Sequence, residues 1–94
     1  MFEPSHQLTF DTVALDRQRL LLYLQLPDVH VLHLDLKRVV QCDSAGLALL
    51  IEACRLCRHY KKAFKIESMP KAIDALAEFC GVNSMLSADS PRFV

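Results

Sequence analysis

The stretch Val39–Ala53, VVQCDSAGLALLIEA, decides how this chain is read, because a β-rich apolar run stops at Asp43 and a leucine-rich pattern of helical period follows at once. From Ser44 onward Leu47, Leu50, Ile51, Cys54 and Cys57 recur at three- and four-residue steps. This predicts one apolar helix face that ends near the basic RHYKK at 58–62, where positive charge suits the helix dipole. Asp43 or Ser44 is placed to cap the first N–H groups of that helix, which accounts for polar residues at the corner without invoking function. On the side away from the core face lie Ala45, Ala48, Leu49 and Glu52, next to the small Gly46. Such a surface is unusually apolar, and its small residues let another protein's backbone approach closely.

Upstream, HVLHLDLKRVV (30–40) carries leucine and β-branched residues on both alternate sets of positions, as a central strand does, and should end near Val40. Downstream, AFKIES (63–68) reads as another strand. A helix then starts at Pro70, with Ile73, Leu76, Ala77 and Cys80 on one face and Gly81 as its stop. Near the N-terminus QLTF and TVAL are short β-rich segments flanking Asp11, expected as two strands joined by a tight turn. Asp16 is a reasonable N-cap for a helix through RQRLLLYLQL, but the leucines there lack clear periodicity and a strand is also open. The order predicts an α/β fold: a single domain over 1–94 with a small mixed, partly parallel sheet and helices packed mainly on one face. Residues 1–6 and 88–94 are expected as flexible ends.

Eleven basic residues balance eleven acidic ones in 94, so the chain offers no electrostatic footprint for nucleic acid or an anionic membrane. The longest apolar run, LLLYLQL at 20–26, is far short of the ~20 residues a membrane helix needs. With no signal pattern in MFEPSHQ, the expected location is the cytoplasm, without direct membrane insertion. Three of the four cysteines, Cys54, Cys57 and Cys80, lie in helical patterns and are expected as reduced thiols; Cys42 lies just before the corner. The CRLC pair sits inside a helix rather than at a turn and lacks a second ligand pair, so neither metal nor cofactor is expected. Catalysis is not expected either. His30 and His33 stand three apart on a strand and point to opposite faces, and no glycine-rich oxyanion or phosphate loop accompanies Ser44.

The stretch LDLKRVVQCDSAGLALLIEA (34–53) resembles the signature of STAS domains, the fold of bacterial anti-sigma-factor antagonists. Leu34, Asp35, Leu36, Val39, Asp43, Ser44, Gly46 and Leu47 occupy the positions of that signature, and the order of elements agrees along nearly the whole chain. Within the family, the GLALL continuation and the small size look most like the MlaB-type subgroup, the STAS component of phospholipid-transporting ABC complexes. The resemblance implies a non-catalytic protein that binds the cytoplasmic ATPase subunit of such a complex at the inner membrane and supports its assembly or activity in outer-membrane lipid asymmetry. It places Ser44 at the ATPase-binding surface; with the outward face of the helix that follows, the expected partner-binding residues are Asp43, Ser44, Ala45, Gly46, Ala48, Leu49 and Glu52. The alternative it implies is an anti-sigma-factor antagonist, switched by phosphorylation of Ser44 and partnered by a serine kinase. Ala45 in place of a second hydroxyl residue, and GLALL in place of the commoner GLGVL type, point away from that alternative.

Overall fold

A computed structural model describes residues 1–82 and Leu86. Four strands and three helices follow in the order β1 (Gln7–Leu8), α1 (Val13–Leu24), β2 (Val31–Asp35), β3 (Gln41–Cys42), α2 (Ser44–His59), β4 (Ala63–Glu67) and α3 (Lys71–Phe79). β2 pairs in parallel with β4, Val31 opposite Ala63 through Asp35 opposite Glu67, and β1 pairs in parallel with β3. Phe2, upstream of β1, adds a parallel bridge to Leu34 of β2. This is the expected α/β arrangement, a small partly parallel sheet with helices packed on it.

Alternation decides which face of the sheet is covered. Leu32 and Leu34 of β2 and Phe64 and Ile66 of β4 are buried beneath the helices, and the intervening residues are partly or fully exposed. α2 supplies the largest share of the helical core through Leu47, Leu50, Ala53, Cys54 and Cys57. α3 adds Ile73 and Ala77, and its end is set by Gly81, whose φ of 75° is the left-handed conformation that glycine adopts without strain. Cys80, expected on the apolar face, is the exposed residue that closes the helix.

Sequence expectations are corrected at the run 30–40 and along the N-terminal segment. The run 30–40 is not one strand: β2 stops at Asp35, whose carboxylate accepts the Lys37 N–H (3.0 Å), and the Val39 N–H bonds back to Leu36 (3.1 Å). The aspartate turns the chain while Leu36 and Val39 stay buried, so apolar content continues through the turn and hides it. At the N-terminus, QLTF and TVAL do not pair. Only Gln7–Leu8 is strand, and Thr12 opens α1, its hydroxyl donating to the Gln7 carbonyl (2.6 Å) and accepting the Thr9 N–H (3.0 Å). Asp16 does not cap α1 but lies inside its first turn, where it is almost fully buried. It accepts hydrogen bonds from the Ser5 hydroxyl (2.9 Å) and N–H (3.2 Å) and from Arg19 (3.0 Å). That clamp helps hold residues 1–6, expected as a loose end, against the fold; Phe2 and Pro4 are buried, and Phe2 exchanges backbone hydrogen bonds with His33 and Asp35. Residues 88–94 lie outside the described residues.

The helix layer meets β1 at Gly46. A Cβ there would lie 2.0 Å from the Leu8 carbonyl oxygen and 2.8 Å from the Leu8 Cβ, so the first turn of α2 seats on β1 only because the side chain is absent. Gly46→Ala gains up to about 1 kcal/mol in helix propensity. Overpacking against a backbone carbonyl that cannot rotate away costs about 1–3 kcal/mol and should win. The expected outcome is a lower melting temperature with faster amide exchange in β1 and β3, measured by thermal denaturation and hydrogen exchange; a stabilised variant would contradict this packing.

Candidate functional site

At the corner between β3 and α2, Asp43 makes two connections with one carboxylate. Its Oδ1 accepts the Gly46 N–H (3.0 Å) and caps α2, and its Oδ2 accepts the Phe10 N–H (3.1 Å) from the turn between β1 and α1. Both bonds favour the ionised form, and the Gly46 bond, with the Phe10 bond next, holds the acid below its ordinary range. Ser44 is therefore not the cap. It is the first helical residue, exposed, and its hydroxyl has no hydrogen-bond partner among the described residues.

Behind Ser44, α1 and α2 lie side by side and leave a groove of about 500 Å³. Ala45, Ala48, Leu49 and Glu52 form the α2 wall; Phe10, Val13, Ala14 and Arg17 form the other. Ala48 is exposed and Ala45 half-buried, whereas Leu49 is only 7% exposed. Gly46 is buried against Leu8 and takes no part in the groove lining. The surface that helical spacing marked as outward is thus the α2 side of a cleft that α1 completes. Phe10 is its most prominent member, an aromatic side chain left 78% exposed beside the helix start. Sequence reasoning missed Phe10, Val13, Ala14 and Arg17. A helix started at Thr12 would have put Val13, Ala14 and Arg17 within one turn of each other, but TVAL read as strand.

One end of the groove is charged. Glu52 accepts from Arg17 Nη2 (2.9 Å) and Nε (3.2 Å) and from Arg55 Nε (2.7 Å) and Nη2 (2.9 Å), so one carboxylate holds two guanidinium groups. The Arg55 hydrogen bond, followed by that of Arg17, outweighs partial burial and brings the Glu52 acid down to about 2.

The thiols offer no reactive group near the site. Burial pushes Cys57 up to about 12 and Cys42 up to about 11, so both stay protonated near neutral pH. Among the described residues no cluster of three or more His, Cys, Asp or Glu side chains can hold a metal ion, and no helix is long and apolar enough to cross a membrane.

A family model described as "Mlab, STAS domain" matches residues 5–87, a span that includes the corner, the groove and most of the core. The chain belongs to the STAS domain family. Domains of this family are non-catalytic regulatory modules that act through protein–protein interaction. No curated protein and no solved structure matches the chain.

Two measurements check the site. Asp43→Asn keeps an acceptor for the Gly46 N–H but has no second carboxylate oxygen for Phe10. It should retain the helix while releasing the 9–12 turn, seen as faster exchange of the Phe10 amide; Asp43→Ala should also lower the melting temperature. For Glu52, a folded-state value near 2 against an ordinary 4.5 means that its ionised form stabilises the fold above pH 4.5 and that this contribution fades as pH falls toward about 2. The melting-temperature gap between wild type and Glu52→Gln should therefore be largest near neutral pH and close over that window.

Proposed function

We propose that this STAS domain binds the cytoplasmic ATPase subunit of a phospholipid-transporting ABC complex, through the groove between α1 and α2 and the exposed start of α2, and supports assembly or activity of that complex. The observation that carries the reading is the groove itself: an almost wholly apolar cleft, bordered by exposed Phe10 and Ser44 on a chain of balanced charge, suits a protein surface. The match to the family model described as "Mlab, STAS domain" supports the subgroup, and the GLALL continuation of the motif agrees with it. On this reading the protein resides in the cytoplasm, at the inner face of the membrane through its partner, and touches no lipid. It maintains lipid asymmetry of the outer membrane only by way of the ATPase.

Ser44, Ala45, Ala48, Leu49 and Glu52 would meet the partner, with Phe10 on the opposite rim. Asp43 and Gly46 belong to the same surface by building it: one fixes the turn that carries Phe10, and the other lets α2 seat on β1. A docking site of ordinary size covers about 800 Å² per partner, so the interface would extend beyond the groove over neighbouring parts of both helices.

A second reading draws on the exposure of the Ser44 hydroxyl, which suits a phosphate acceptor in an anti-sigma-factor antagonist. The neighbouring Asp43 carboxylate works against it, since a phosphate there would meet a fixed negative charge. Affinity capture from the native cell, with wild-type, Ser44→Glu and Ala45→Arg baits compared by mass spectrometry, separates the two. The transporter reading expects an ABC ATPase with the wild type and its loss from both variants, whose circular dichroism should stay native. Recovery of a serine kinase, with stoichiometric phosphate on Ser44 after incubation with ATP, would replace it with the antagonist reading. Unchanged capture of the ATPase by both variants would remove the site.

A further inference from the structure

The groove has a polarity along its length that narrows the kind of element it accepts. At the Phe10 end its lining is apolar, and its polar lining comes from Arg17 and Glu52 at the other end. Without polar groups along the floor it has nothing to orient a small ligand, whereas a cleft between two helices suits the side chains of a third helix, read at three- and four-residue spacing.

The charged end is not neutral. Two guanidinium groups face one carboxylate, leaving one formal positive charge, and each arginine spends two of its five N–H donors on Glu52. The remaining donors sit on side chains that are 46% and 60% exposed. Glu52 has also restrained both arginines before a partner arrives, so an incoming carboxylate meets a partly ordered fork rather than two free side chains. Ala48 and Glu52 are one helical turn apart, about 6 Å along the axis.

Building on the docking reading above, we infer that the partner element is an amphipathic helix that seats a large apolar side chain between Phe10 and Ala48 and, one turn away, sets a carboxylate against the Arg17–Arg55 pair. The apolar contact supplies the burial and the carboxylate fixes the direction in which the helix lies, because reversing it would place the acid over the apolar end.

The test uses the intact protein and a purified ABC ATPase subunit from the same cell, with affinity measured at low and physiological salt. R17Q/E52Q/R55Q removes the charges together, so no lone carboxylate remains. It should bind about tenfold more weakly at low salt and lose most of the salt dependence seen with wild type. Ala48→Arg should abolish binding at both salt concentrations. Replacing the contacting acid of the ATPase by lysine should weaken wild type and be rescued by R17E/E52Q/R55E. Native circular dichroism and melting curves establish that each variant is folded. Wild-type affinity and salt dependence in the triple variant, with binding lost in Ala48→Arg, would overturn the acidic contact and leave the groove as the docking site. Full binding by Ala48→Arg would overturn both.

Discussion

The Asp43 carboxylate is the point at which strand order, helix start and candidate site are tied together. One oxygen closes the first turn of α2 on the Gly46 N–H, and the other reaches across 33 residues of sequence to the Phe10 N–H. The Gly46 held by that cap is also the residue whose missing side chain lets α2 rest on Leu8, so the cap and the close approach act on one turn of helix. A change in either would move the α2 start relative to β1, and with it both rims of the groove.

This arrangement gives separate work to residues that are neighbours in sequence. Asp43 and Gly46 spend their polar and steric properties inside the molecule. Ser44 and Ala48 stand exposed, while Leu49 closes the groove from below. Glu52 again faces inward electrically, its charge held between Arg17 of α1 and Arg55 of its own helix. The first link restrains the two helices at one end of the cleft, as Asp43 does for the Phe10 turn at the other. The two walls of the apolar groove are thus linked by polar contacts at both ends.

The parts legible in the sequence were those governed by local periodicity. The 3.6-residue spacing from Leu47 to Cys57 identified α2 and its buried face, the strand-like run AFKIES identified β4, and Pro70 with Gly81 bracketed α3. The N-terminal third was less legible. Leu20 and Leu24 face the core while Leu15 and Leu22 are exposed, so the leucines of α1 occupy more than one face and blur its period. Thr12 and Val13, β-favouring by type, open a helix because the preceding turn bonds to the Thr12 hydroxyl. On the sheet, Leu36 and Val39 stay buried through a turn, which made the strand look longer than β2 and left β3 unread.

By itself the sequence determined that a strand must yield to a helix at Asp43, and that Ala45, Ala48, Leu49 and Glu52 share one side of that helix, since both follow from backbone geometry within a few residues. The STAS signature in 34–53 depends on the same local order. Only the tertiary structure decided that Phe10 and Arg17 stand opposite them, that Glu52 serves two arginines, and that residues 1–6 are held beside β2. These are contacts between segments far apart in the chain, which no local period encodes; they arise when parallel pairing of β1 with β3 carries the Phe10 turn and the start of α1 to the start of α2.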